Sequence, residues 1–223
     1  GMTAAGMEKD TLSQTLAVLG AKDRQALHEG NLALQSLLSG NSEQYFKLSN
    51  AIWLRDEYRE NILPTFLGTN KTYYGALVTP HPFDDTLIPE INAWVAENTD
   101  DLIKNLLQPP LDPDAFMFLV NTLLFEAEWQ TPFGTTAEGT FHSEQGDKQM
   151  QLMNQEMDSA PWYADKEVSA CLLDYKDSRT AMLVAVPKNG LDSLINAFDG
   201  GTVSKWLAGM QNKPVTVTMP RFS

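Results

Sequence analysis

Read from its amino end, the chain sets apolar positions at helical intervals before it turns to alternation and continuous runs. Leu12, Leu16 and Leu19 follow Thr11 to Gln14, which has the form of a capping box, and Gly20 closes this first predicted helix. A second helix is predicted from Asp23, carrying Leu27, Leu34, Leu37 and Leu38 on one side until Gly40. Phe46 to Leu54 reads as a strand. Glu57 to Leu67 keeps helical register through Tyr58, Ile62, Phe66 and Leu67, but Pro64 removes a backbone donor and predicts a kink or a break there. Beyond a polar turn after Gly68, Thr72 to Val78 reads as a short strand.

The stretch from Ile91 to Phe133 holds an amphipathic helix, a charged connector and an apolar strand in that order. Leu87, Ile88, Ile91, Trp94 and Val95 recur at helical spacing behind the capping candidates Asp84 and Asp85, and INAWVAENTDDLIKNLL continues the pattern, so one face is apolar and the other wet. From Phe116 to Phe125 only Asn121 and Thr122 interrupt the apolar residues. Such a run predicts a strand covered on both faces, inside a large sheet, and is too short to span a bilayer as a helix. The remainder is mostly β: Thr140 to Ser143, Lys148 to Asn154, Val168 to Tyr175 and Thr180 to Val186 are strand candidates, with Asp177-Ser178 in the last turn. Leu191 to Phe198 and Thr202 to Met210 read as short helices around Gly200-Gly201. Helices first, then strands with interspersed helices, predicts an α+β fold.

Ile91, Asn92, Trp94 and Val95, followed by Leu119, Val120, Asn121, Phe125, Trp129, Pro132 and Phe133, make an ordered set that resembles the serpin family. There a helix ending in IN-x-WV lies across the main sheet and precedes a central strand LVNxxxFxxxW, then PF. The resemblance extends to GMTAAGMEKDTLSQTL (1–16), LSNAIWLRDEY (48–58), QMQLMNQ (149–155) and VTVTMPRF (215–222), so it covers essentially the whole chain. One departure stands at Asp101, Leu102 and Ile103, where the family has Gly-Lys-Ile. The resemblance implies a serpin-like α+β fold of multi-stranded sheets covered by helices, as a single partial domain over residues 1–223. It also implies an internal fragment, lacking the N-terminal helix and the C-terminal reactive-loop region that a serpin presents to its target.

The function so implied is inhibition of serine proteases: the loop is cleaved and inserts as a new strand into a metastable main sheet. The isolated chain, without that loop, is expected not to inhibit. The alternative is a non-inhibitory serpin that acts as a binding or carrier protein. Two site residues come with the resemblance. Asn121 matches an asparagine near the point where the main sheet opens, and Trp129 a tryptophan at the top of that sheet where insertion begins. On physical grounds alone both also suit plain core packing, and an amide in so apolar a strand needs partners on a neighbouring strand or loop.

Composition narrows the partners. With 29 acidic against 16 basic residues the net charge is -13, which argues against nucleic acid, whose phosphates need clustered Lys and Arg. Cys171 is the only cysteine, so no disulfide forms within the chain, and its neighbours Ala170, Leu172 and Leu173 predict a thiol buried in a strand. No signal peptide or membrane-spanning run is visible, and localisation is not legible.

No enzyme chemistry emerges. His28, His81 and His142 stand at no metal-ligand spacing, there is no nucleophile elbow, P-loop or dinucleotide fingerprint, and no cofactor is expected. Asp84-Asp85 suit a helix N-terminus, Asp100-Asp101 a solvated loop, and Asp112-Pro113-Asp114 lacks the pattern of a calcium loop. Asn70-Lys71-Thr72 matches a glycosylation acceptor, against the plainer reading of a polar turn.

Overall fold

Pro64 divides the first half of the chain differently from its apolar spacing. In the computed structural model, which describes residues 1–39, 44–143, 146–176 and 179–222, a 3-10 helix covers Asp56–Asn61 and a new α-helix begins at Pro64. Proline suits that first position because its missing N–H has no partner to lose there. The helix then runs through Gly68 to Tyr74 and ends on Gly75 in the left-handed conformation (φ 59°). The turn expected after Gly68 and the first residues of the strand expected at Thr72 are therefore helical, and the strand itself is Leu77–His81.

The described chain divides into two compact units, Gly1–Glu126 and Ala127–Ser223. The first contains a 3-10 turn at Met2–Gly6, α1 (Lys9–Leu19), α2 (Arg24–Leu38), β1 (Gln44–Arg55), α3 (Pro64–Tyr74), β2 (Leu77–His81), α4 (Leu87–Asn98) and β3 (Met117–Ala127). Gly20 ends α1 with φ 65°, as its position predicts, but the helix starts at Lys9, so Thr11 lies inside the first turn and forms no capping box. Arg24 secures that start through bonds to the Met7 carbonyl and to Glu8. Asp23 caps α2, its carboxylate accepting from the Ala26 amide at 2.8 Å. The leucine stripe of α2 is packed only in part: Leu27 and Leu38 are half-buried and Leu34 and Leu37 exposed, whereas His28 is buried, and Asn31 and Gln35 donate to the Tyr73 carbonyl at the end of α3. Hydrophobic spacing located the helix and missed the polar side that docks it. The expected end at Gly40 lies outside the described residues.

These strands form a three-stranded sheet in the order β2-β1-β3, with β1 and β2 parallel from Ala51 opposite Leu77 to Arg55 opposite His81. The strand covered on both faces is β1, where Ala51, Ile52, Trp53 and Leu54 are all buried. By contrast β3 stands at the edge and alternates, with Val120, Thr122 and Leu124 inward and Asn121, Leu123 and Phe125 outward. The interior position expected for β3 is thus corrected. An apolar run states that both faces tolerate apolar neighbours and leaves open which layers supply them.

On one face of this sheet α4 buries Leu87, Ile88, Ile91 and Val95, packing on Ala51, Trp53 and Val120. It stops at Asn98 instead of continuing to Leu107, because Asp100 and Asp101 turn left-handed (φ 46° and 63°) and the Asp101 amide folds back to the Ala96 carbonyl at 2.8 Å. Asp101 occupies the position where the resembled family has glycine. It adopts the conformation that glycine takes most easily, and aspartate is among the few residues that share it.

The second unit is built on β4 (Thr135–Ser143), β5 (Gly146–Ala164), β6 (Val168–Asp174), β7 (Ala181–Pro187) and β8 (Gln211–Pro220), with α5 (Leu191–Ala197) and α6 (Thr202–Gly209) before the last strand. Its sheet runs β4-β5-β6-β7, with β8 also on β5. At 19 residues, β5 is long enough to pair with β4 at one end and β6 at the other, and an irregularity between Met157 and Ala160 lets β8 follow it. Its extension beyond Asn154 escaped the alternation pattern for that reason. Ala160, Cys171, Leu173, Val215 and Val217 make one buried cluster; Val168, Ala170 and Trp206 make another. The turn expected at Asp177-Ser178 lies outside the described residues. Helices and multi-stranded sheets together make the α+β class.

Candidate functional site

Asn121 was expected to be buried among apolar side chains, and the structure places it on the outward, exposed side of β3. Its partners are nevertheless on the neighbouring strand. The Nδ2 group donates to Asn50 Oδ1 at 2.9 Å and reaches the Ser49 carbonyl at 3.5 Å. Asn50 is buried and passes the connection on, donating to the Tyr74 carbonyl at 2.7 Å. One relay of amides therefore joins β3 to β1 and β1 to the last residue of α3. The sequence carried a sign of this in Ser49-Asn50, two polar residues at the head of the apolar run of β1, which the motif search did not use.

A groove of about 500 Å³ opens beside the relay, with Leu38, Leu48, Asn50, Tyr74, Asn121 and Leu123 among its walls. Behind it, His28 Nδ1 lies 2.8 Å from the Tyr74 hydroxyl, with the imidazole stacked on Tyr73. Burial pushes Tyr74 up to about 12. It lowers His28, with smaller contributions from the positive charges of Arg24 and the terminal amine. A neutral imidazole in that place is a structural group.

The polar contacts of α4 escaped sequence reading altogether. Glu90 Oε1 accepts from the Trp53 indole at 2.8 Å, and Glu90 Oε2 lies 3.1 Å from His81 Nε2 at the end of β2. Neither Asp84 nor Asp85 caps α4: the N-cap is Thr86, which makes no side-chain cap bond, and Asp84 accepts from the Thr86 hydroxyl and, at 2.9 Å, from its amide just before the helix, bonds that hold its carboxyl below the usual range.

In the second unit Trp129 is half-buried and stacks on Tyr175 with ring centroids 4.6 Å apart and planes at 19°, while Phe133 meets it edge-on at 5.6 Å. The Trp129 and Tyr175 backbones bridge, and the ion pair of Glu128 with Lys176 stands beside them. Asn121 and Trp129 belong to different units, each with its own surroundings.

Cys171 is buried in β6, and burial raises its pKa, so the thiol stays protonated and unreactive. His142 pairs with Asp147 at 2.7 Å on an exposed hairpin. Among the described residues no three His, Cys, Asp or Glu side chains come together in a way that could hold a metal, and no helix is long and apolar enough to cross a membrane. Asp112 accepts from the Asp114 amide in a plain turn. Asn70 is fully buried within α3, its Nδ2 donating to the Phe66 carbonyl at 3.0 Å, so both the glycan-acceptor and polar-turn readings are replaced by a buried structural amide.

Comparison with known proteins agrees with this architecture. The family model described as serpin (serine protease inhibitor) matches residues 1–223. A serpin-like protein of Thermococcus kodakarensis is 27% identical over 179 residues, covering 78% of this chain and 41% of its own length. The human plasma serine protease inhibitor is 26% identical over 234 residues, covering 100% of this chain and 55% of its own. The chain thus spans about half the length of these relatives. Human thyroxine-binding globulin in complex with its hormone superposes with a TM-score of 0.86 at 25% identity, over 99% of this chain and 62% of that one.

Proposed function

The chain belongs to the serpin family, and on that premise we propose that it forms part of an inhibitor of serine proteases, within one serpin domain. In the mechanism that membership suggests, the protease serine attacks a peptide carbonyl in an exposed loop, the peptide bond breaks with release of the amine half, and the acyl-enzyme remains. The freed loop then adds as a strand to the main sheet before water can complete hydrolysis.

The observation that carries this reading is the edge position of β3. Its backbone pairs with β1 on one side, and among the described strands none pairs with the other, which suits the addition of a strand there. In this reading Asn121 ties the edge to β1 through Asn50, and Trp129, stacked on Tyr175, keeps the start of the following segment in place. Neither acts on a substrate, and the protein is no enzyme.

The test uses the serpin that carries these residues. Incubation with trypsin-like and elastase-like proteases should leave an SDS-stable complex, and cleavage of its loop should raise its melting temperature. Cleavage that yields neither would favour the second reading, a carrier. That alternative is supported by the likeness to thyroxine-binding globulin and by a groove of about 420 Å³ in the second unit, walled by Trp162, Cys171, Val184, Val217 and Met219.

A further inference from the structure

We propose that His81 is a pH-operated latch that fastens α4 to the sheet when its imidazole is charged. The argument rests on what its two ring nitrogens face. Nδ1 lies 2.5 Å from the Pro82 carbonyl and Nε2 lies 3.1 Å from Glu90 Oε2. Both are acceptors without a proton to give. A neutral imidazole carries one N–H, so either tautomer turns a lone pair towards an oxygen, and only the imidazolium satisfies both contacts.

Glu90 makes this a latch on the helix instead of a stray surface pair. Its other oxygen accepts from the indole of Trp53, a buried residue of β1 whose N–H can only donate. One carboxylate on α4 is therefore held by β1 and β2 together. When His81 gives up its proton to water, the β1 contact survives, while on the β2 side the charge is lost and only one of the two ring contacts can still be a hydrogen bond.

Among the described residues no other charge substitutes for it. Asp84, in the loop before α4, lies close enough to sense His81, yet its carboxylate is occupied by the amide and hydroxyl of Thr86. Asp85 beside it is exposed. Arg55 is the β1 partner of His81 in the strand register, but its guanidinium donates to the Pro113 and Ala115 carbonyls at 2.8 and 2.9 Å and lies over the ring of Phe83. Asp56, Glu57, Arg59 and Glu60 of the adjoining 3-10 helix point to solvent. The inference concerns how α4 is seated and holds whatever the protein acts on.

Hydrogen–deuterium exchange of the 87–98 peptide decides it, read at about pH 5.5 and about pH 8 as protection corrected for intrinsic exchange. In the wild type α4 should be about 3- to 10-fold better protected in acid than in base, relative to His81→Gln under the same conditions. His81→Gln itself should show no such gain, nor should Glu90→Gln, which keeps an acceptor for Trp53 and removes the charge. Far-UV circular dichroism confirms that each variant is folded. A wild-type profile that matches that of His81→Gln at both pH values, or an acid gain that persists in Glu90→Gln, overturns the latch.

Discussion

Asn70 shows how a single side chain overrules its own motif. The triplet Asn70-Lys71-Thr72 fits an acceptor for N-linked glycan, but Pro64 starts a helix that carries Asn70 inward, where its amide bonds to Phe66 and Met2. Expressed in a glycosylating secretory host, the protein should carry no glycan at Asn70, as intact mass will show. Asn70→Ala should cost about 1–3 kcal/mol in chemical denaturation by leaving carbonyl partners unpaired. His28 supplies a pH test of opposite sign to that at His81. Its folded pKa is lowered by burial, so above about pH 6.5 it is neutral in both states and contributes nothing to the pH dependence. As the pH falls below that value the unfolded chain takes up the proton first, and stability is lost until the depressed folded value is reached. His28→Gln should therefore flatten the fall in urea midpoint between about pH 7 and about pH 5. A fall equal to that of the wild type would show that His28 does not drive it.

At the scale of elements, β1 and β3 are nearly equal in apolar content and unequal in circumstance. Leu124 of β3 points into the sheet–helix layer with 8% exposure, while its neighbour Leu123 stands 59% exposed on the other side. Leu124→Ala should cost about 2–5 kcal/mol and Leu123→Ala less than about 0.5 kcal/mol, measured as shifts in denaturation midpoint. Equal costs would mean that a further layer covers the outward face. The contrast was not legible beforehand, because hydrophobicity describes a residue's tolerance for burial and the number of layers depends on distant segments. By comparison the packed face of α4 was legible, since one apolar stripe with a polar reverse permits one packing, whereas its cap and its polar contacts were not. Its end was misplaced at two aspartates that accept a left-handed backbone.

For the whole molecule the decisive quantity is charge. A net charge of -13 opposes compaction through mutual repulsion, and the described ion pairs lie mainly at the surface, where each contributes little. Raising ionic strength from about 10 mM to about 150 mM should therefore raise the melting temperature, because screening relieves the repulsion more than it weakens isolated pairs. A fall would show that specific ion pairs outweigh the net charge. The division at Glu126–Ala127 gives each unit its own buried clusters, and no linker composition marks it in the sequence.

What the sequence by itself determined is the class of the fold, the family, the amphipathic face of α4 and the buried Cys171. All of these follow from local spacing or from an ordered motif, which neighbouring residues encode directly. The tertiary structure alone decided that Asn121 faces outward and finds Asn50, that β1 and not β3 is the enclosed strand, that polar residues seat α2, and that Glu90 joins Trp53 to His81. Each of these depends on side chains brought together from separate elements, and a one-dimensional pattern carries no measure of the distance between them.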